Sequence, residues 1–258
     1  MVVAIAASLL AAGCGGSKHA AVTRYVKQVN AVTTGMRAQL GDVAAVNARF
    51  QSHQDPSVLG PQLARSEKTL ALLGARLAAL KPPPAAKPVA ATLARYVALA
   101  RSLVAELHRF TVFLPAFGAA AKAADRAGAA FRNAARTAKT LPTESAAVAA
   151  YAAGLAAPLA SLRRLAPPSV LRPSYASEVL VLQRTRATAS ALAAALRLKE
   201  TSKARALVFQ LAKDAAGNGS IATQRAEIAA VRAYDAKVTE LGRLQTLAQQ
   251  QLARLQSS

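Results

Sequence analysis

The chain has few of the side chains that build catalytic and metal sites. Its 258 residues include no Trp, one Cys, two Met and three His, and aromatic residues make up only 4%. A single Cys excludes an intramolecular disulfide framework, and so few His and Cys leave little material for a metal centre with several such ligands. The composition therefore predicts neither a bound metal nor a cofactor.

Recognisable catalytic motifs are also absent. The sequence contains no Gly-x-Ser-x-Gly, Ser-x-x-Lys, His-Glu-x-x-His, Walker A or dinucleotide-binding pattern. His53 lies in a polar segment beside Asp55, and His108 lies between Leu107 and Arg109, so we expect both imidazoles to be solvated or locally hydrogen-bonded. The sequence thus predicts that the protein is not an enzyme.

An uncharged apolar segment at the N-terminus leads directly to the only Cys. Val2–Ala12 has the length of the hydrophobic region of a signal peptide and is much shorter than the about 20 residues needed to span a bilayer. Leu10, Ala12 and Gly13 precede Cys14, and this order resembles the lipobox of bacterial lipoproteins.

The resemblance implies a location for the protein. In such lipoproteins the Cys thiol is joined to diacylglycerol and becomes the mature N-terminus. Applied here, it makes residues 1–13 a signal peptide, Cys14 the lipidation site and 14–20 a tether that holds the protein at the outer face of the cytoplasmic membrane, in the cell envelope. The alternative is an apolar first helix with a buried Cys.

Beyond residue 20, apolar residues recur at alternating spacings of three and four, as in Val22, Tyr25, Val29 and Val32. This spacing places them on one face of a helix. No stretch alternates with the period of two that a half-buried strand requires, so no sheet is expected. The sequence predicts an all-α fold, an antiparallel bundle of about eight helices over 21–257. The expected helices are 22–50, 63–80, 89–114, 117–138, 148–165, 171–196, 204–211 and 221–255.

Proline and glycine mark the expected helix ends, because proline removes an amide donor and restricts the residue before it. Pro158 differs from the others because it interrupts the apolar seam between Leu155 and Leu162, so a kink is expected there. The expected breaks are Asp55-Pro56, Pro82-Pro83-Pro84, Leu114-Pro115, Leu141-Pro142, Pro167-Pro168 and Gly217-Asn218-Gly219.

Two of these breaks have similar sequences around them. At a constant offset of 85 residues, Leu70, Leu77, Leu80, Pro82, Pro83, Lys87 and Pro88 match Leu155, Leu162, Leu165, Pro167, Pro168, Arg172 and Pro173. The match predicts an internal duplication of a helix, a Pro-Pro corner and a second helix, with repeats at 57–114 and 142–198. The pattern is similar to uncharacterised helical envelope lipoproteins of GC-rich bacteria, a resemblance that carries no binding residue to this chain.

Positive charge is the strongest physical feature of the composition. Lys and Arg number 33 against 12 Asp and Glu, a formal net charge of +21. One group, which we name the basic stripe, lies off the apolar seam of its helix and is the candidate contact for an anionic surface. The basic stripe consists of Lys122, Arg126, Arg132, Arg136 and Lys139.

Three interpretations of this charge remain open. The charges keep Ala-rich helices soluble, or they attract anionic lipid or acidic wall polymer at the envelope, or they bind nucleic acid. Export and the lack of interleaved aromatic residues disfavour nucleic acid.

The expected function is a non-catalytic binding or scaffolding role at the envelope, with contact to anionic envelope surfaces. The alternative is a carrier of a lipid or small molecule held between helices. Few large aromatics and many Ala predict tight packing without a large cavity. Ser145–Leu162 is uncharged and long enough to be considered a membrane span, but its Ala content, Gly154 and Pro158 favour a buried helix. No particular protein partner, ligand or oligomeric state is predicted.

The lipobox-like order predicts that Cys14 is acylated. A palmitate analogue supplied to a host with lipoprotein-processing enzymes should label the protein and keep it in the membrane fraction, because acyl chains contribute about 0.8 kcal/mol per buried methylene. Cys14→Ala should abolish both labelling and membrane retention. If this variant still takes up label and stays with the membrane, the anchor lies elsewhere.

Overall fold

The computed structural model describes residues 13–51, 55–216 and 221–257, and helix accounts for 92% of it. No strand occurs in these three stretches, so the predicted all-α class is confirmed. The helix count is seven when α4 and α5, which only Leu155 separates, are taken as one kinked helix. The helices are α1 (Gly13–Gln51), α2 (Pro56–Ala79), α3 (Lys87–Thr137), α4 (Leu141–Gly154), α5 (Ala156–Arg163), α6 (Arg172–Arg197), α7 (Thr201–Ala215) and α8 (Ile221–Ser257).

The N-terminal predictions fall mostly outside the part that the structure describes. The predicted hydrophobic region of the signal peptide, Val2–Ala12, lies outside the described residues. Helix α1 already begins at Gly13, so the backbone of 14–20, expected as a tether, is helical and continuous with α1. Cys14 therefore lies in the first turn of α1, and its acylation stays a prediction.

Most of the expected breaks are confirmed within the described residues. Helix α2 begins at Pro56, the Pro82 to Pro84 segment separates α2 from α3, and Pro167 and Pro168 separate α5 from α6. Helix α4 begins at Leu141 and is capped by Thr140, whose hydroxyl accepts from the Thr143 backbone N–H at 3.5 Å. The expected break at 217–219 lies outside the described residues.

Two internal prolines behave differently. The break expected at Leu114-Pro115 is wrong, because α3 continues through Pro115. An internal proline costs about 3 kcal/mol, and burial of neighbouring side chains such as Phe113 and Ala120 offsets this cost. The kink expected at Pro158 is confirmed, since α4 ends at Gly154, the residue whose carbonyl the proline ring would contact.

The helices form two compact units. Unit 1 comprises the chain up to His108 together with the chain from Asp235 onward. Its core draws one side chain or more from each of α1, α2, α3 and α8, among them Val29, Leu70, Val104 and Leu244, all at most 2% exposed. Each fully buried aliphatic side chain contributes about 1.5–3 kcal/mol, so the apolar seams predicted from the sequence form this core.

Unit 2 comprises Arg109–Tyr234. Helices α4 and α6 pack against each other, and α7 packs on α6. Val148, Ala189, Leu192 and Leu211 form the centre of its core. One helical bundle was expected over 21–257, and in the structure this range forms two compact units.

The two Pro-Pro corners have the same local geometry. Pro83 has φ −62° and ψ 160°, and Pro168 has φ −53° and ψ 151°. A three-residue 3₁₀ turn follows each corner, and the next helices begin at Lys87 and Arg172. The offset of 85 residues is therefore kept in the backbone. The duplication of 57–114 and 142–198 itself stays a prediction.

The connection between α6 and α7 contains a residue in the left-handed region. Lys199 has φ 57°, a conformation that favours glycine. The backbone N–H of Lys199 donates to the Leu196 carbonyl at 3.1 Å, and that of Glu200 donates to the Ala195 carbonyl at 2.9 Å. This is the Schellman ending of a helix, with Lys where glycine is most common.

Lys199→Gly should therefore raise the free energy of unfolding by about 1 kcal/mol, because glycine relieves the left-handed strain. Arg205→Gly is the matched control, since Arg205 is exposed within α7 and glycine there should lower stability by about 1 kcal/mol. Chemical denaturation measures both. A loss of stability in Lys199→Gly would contradict the assigned helix ending.

Candidate functional site

The surface of unit 2 contains a groove formed by α3, α4, α6 and α7, which we name the unit 2 groove. Its volume is about 490 Å³, within the range of about 300–1,000 Å³ found for small-molecule sites. Most of the lining is apolar. The groove is lined by Gly128, Phe131, Arg132, Ala135, Glu144, Ala147, Val148, Tyr151, Leu192, Leu196, Val208, Leu211, Ala212 and Ala215.

Hydrogen bonds join the helices that line this groove. The Ser145 hydroxyl on α4 donates to the Ala193 carbonyl on α6 at 2.8 Å. The Thr188 hydroxyl on α6 donates to the Asp214 carboxylate on α7 at 2.7 Å. These bonds join α6 to both α4 and α7, and all three helices contribute apolar residues to the groove lining.

Helices α3 and α4 approach closely because small residues face each other. A Cβ atom added at Gly154 would lie 2.9 Å from the Cβ of Ala127, which is closer than ordinary contacts allow. The approach brings Phe131 of α3 onto Tyr151 of α4, with ring centroids 4.8 Å apart and an angle of 17° between the ring planes. The stacked pair forms an aromatic wall of the groove.

Three of the lining residues are polar, namely Arg132, Glu144 and Tyr151. Burial raises the pKa of the Tyr151 phenol, and the nearby Arg132 guanidinium partly opposes this by lowering it. Arg132 and Glu144 are both exposed. Neither has an ion pair within the described residues, so both charges face solvent at the edge of an apolar surface.

All five residues of the basic stripe are exposed, as expected for a cationic face. Lys139 follows the end of α3 at Thr137. Arg132 alone of the stripe lines the unit 2 groove, and the Arg136 guanidinium donates a hydrogen bond to Asn133 within α3. Contact between the stripe and an anionic surface stays a prediction.

The remaining polar candidates are the two histidines, His53 and His108. His108 on α3 pairs with Glu67 on α2 at 3.1 Å, so the local or solvated environment expected for His108 is wrong. His53 lies outside the described residues. Within 13–51, 55–216 and 221–257, no three His, Cys, Asp or Glu side chains cluster closely enough to hold a metal ion.

A second cleft, of about 480 Å³, lies between α1 and α2 in unit 1. Its lining is mostly polar and includes Gln39, Asp42, Arg49, Gln62 and Arg65. Arg49, Asp42 and Arg65 are all exposed, so this cleft lies between solvated side chains. The unit 2 groove is therefore the stronger candidate, because it combines an apolar lining with an aromatic pair.

The expected tight packing without a large cavity stays a prediction, because the unit 2 groove is open to solvent and is not an enclosed cavity. Ala135 on α3 and Ala147 on α4 line the groove, as do Ala212 and Ala215 on α7. Their short side chains do not fill the space between the helices. The sequence contained a relevant signal, because small residues occur where larger ones would fill the space between the helices. The same small residues are also compatible with close packing.

One stretch of unit 2 meets the length and composition criteria for a membrane span. Leu141–Arg163, which includes α4 and α5, is long and apolar enough to cross a membrane, and 39% of its most apolar window is buried inside the protein. Val148, Ala152 and Leu162 of this stretch belong to the buried interior of unit 2.

No protein-family model matches the chain, and no curated protein and no solved structure resembles it significantly.

Proposed function

We propose that the protein is a non-catalytic, lipid-anchored binding protein of the cell envelope, and that its unit 2 groove holds the hydrocarbon chain of an amphiphile. The observation that carries this proposal is the groove of about 490 Å³. A mostly apolar lining with two exposed charged residues suits a ligand that has an apolar chain and a polar end.

The lining supports a hydrocarbon chain. Leu192, Leu196, Val208 and Leu211 present aliphatic surface, and Phe131 adds an aromatic face. Val208 is 52% exposed, so apolar surface stays in contact with water until a ligand covers it. Each methylene removed from water contributes about 0.8 kcal/mol. A chain of about ten methylenes would therefore contribute about 8 kcal/mol, which is comparable with the cost of association of about 4–15 kcal/mol.

The proposed anchor at Cys14 fits this role. Acyl chains inserted in the membrane would keep the protein at the lipid surface, where amphiphiles are concentrated. No catalytic activity is proposed, because Arg132, Glu144 and Tyr151 have no hydrogen-bonded partner within the described residues that would activate them as a nucleophile or base.

A tryptophan placed in the groove should report the ligand. The chain contains no Trp, so Phe131→Trp introduces the sole indole, next to Tyr151. Titration with a long-chain alcohol, kept below its solubility limit in water, should shift the emission to the blue with saturation, because the chain displaces water from the indole.

Phe117→Trp is the matched control. Phe117 lies on α3 in an aromatic cluster with Phe113 and Tyr175, away from the groove lining. Its emission should not change with the alcohol. The proposed function fails if neither variant responds or if both respond alike.

The exposed basic stripe favours a second candidate function, contact with anionic lipid or acidic wall polymer. The C-terminal part of α3, residues 116–137, contains Lys122, Arg126 and Arg136 of the stripe. Asp125 is the only acidic residue of this segment. Each basic side chain near a negatively charged membrane contributes about 1 kcal/mol, and this attraction falls within a Debye length of about 8 Å at physiological salt. The contact would orient the anchored protein and needs no pocket.

Reversal of charge within the stripe tests this candidate. The double variant Lys122→Glu and Arg126→Glu, which leaves the groove lining intact, should bind vesicles of anionic lipid several-fold more weakly than the unaltered chain at low salt, in a sedimentation assay. The double variant Arg184→Glu and Arg186→Glu makes the same change in net charge with exposed residues of α6. Equal losses in both variants would mean that net charge, and not the stripe, attracts the surface.

A further inference from the structure

Two charges of opposite sign line the unit 2 groove from different helices. Arg132 lies on α3, and Glu144 lies in the first turn of α4. Both side chains are exposed, and within the described residues no ion pair joins them to each other or to a third group. Each charge is therefore available to a ligand in the groove.

We propose that the amphiphile held by the groove carries a zwitterionic headgroup, with an anionic phosphate beside Arg132 and an ammonium beside Glu144. The inference rests on the proposed function, because it concerns the polar end of the same ligand. A guanidinium recognises a phosphate through paired N–H donors, and a carboxylate accepts hydrogen bonds from an ammonium.

Tyr151 adds a donor on the phosphate side. The Arg132 charge is close enough to affect the Tyr151 phenol, and a phenol O–H donates readily to a phosphate oxygen. Along α4, Glu144 and Tyr151 are about 10 Å apart at the backbone, from the rise of 1.5 Å per residue. The phosphate side of the proposed ligand thus lies near Arg132 and Tyr151, and its ammonium lies near the N-terminal end of α4.

Other headgroups match these charges less well. A purely anionic headgroup meets the Glu144 carboxylate, and a purely cationic one meets the Arg132 guanidinium. A neutral headgroup forms an ion pair with neither side chain. Only a headgroup with both signs satisfies both side chains.

Headgroup preference is measured with three single-chain lipids that share one acyl chain. These are a lysophosphoethanolamine, which is zwitterionic, a lysophosphoglycerol, which is anionic, and a neutral monoacylglycerol. Their dissociation constants are determined by calorimetry on the full chain below the critical micelle concentrations. Because the protein carries a net charge of +21, the anionic phosphoglycerol lipid has a general electrostatic advantage in binding. The informative quantity is therefore the change that each variant causes in the ratio of the dissociation constants of two of these lipids.

Glu144→Gln should shift the ratio of affinities toward the phosphoglycerol lipid by about two- to five-fold, the size typical of an exposed ion pair. Asp125→Asn, which removes an exposed carboxylate of α3 outside the groove, should leave the ratio unchanged. Arg132→Gln should weaken both phosphate lipids relative to the monoacylglycerol, whereas Arg126→Gln should not.

The outcomes separate the two proposals. If all three lipids bind but Glu144→Gln leaves the ratio unchanged, the zwitterionic headgroup is wrong and chain binding stands. If Asp125→Asn shifts the ratio as much as Glu144→Gln, the effect is one of net charge and the headgroup assignment is also wrong. If none of the three lipids binds, the proposed function and the inference fall together.

Discussion

The small side chain of alanine between helices is the constraint on which the rest of this structure depends. Alanine has the highest helix propensity and buries little surface, so it favours long helices without deciding how closely they pack. Where Gly154 meets Ala127, small residues let α3 and α4 approach closely and stack Phe131 on Tyr151. Around the unit 2 groove, small side chains such as Ala212 leave space between the helices unfilled. The small size of these side chains thus allows both the close contact between α3 and α4 and the open space of the unit 2 groove.

The distribution of charge is related to the same Ala-rich composition. Interfaces built from Ala and Leu leave the exposed positions to Lys and Arg, and these give a net charge of +21. Most of this charge faces solvent, where an isolated side chain changes stability little. Arg132 and Glu144 differ from most of these charged residues because they lie beside the apolar lining of the unit 2 groove. The proposed ligand, with an apolar chain and a charged end, matches this combination.

Patterns that depend on periodicity were predictable from the sequence, whereas contacts between distant residues were not. The apolar spacing around Val29 predicted a buried face because helical geometry repeats regardless of the partner. The kink before Pro158 was predictable for the same local reason. Continuation of α3 through Pro115 was missed because packing overrides the local cost. The pairing of His108 with Glu67 and the groove itself depend on how helices meet, which no local pattern encodes.

The central claim is that the groove holds an amphiphile, and the most direct measurement is native mass spectrometry of the protein extracted from its own membrane. The account predicts a bound lipid that contains phosphate and an amine. Ala212→Phe, which places a ring in the groove lining, should remove it, whereas Ala206→Phe on the same helix but outside that lining should retain it. The account is contradicted if the unaltered protein carries no lipid, or if the Ala212→Phe variant carries as much as the unaltered protein.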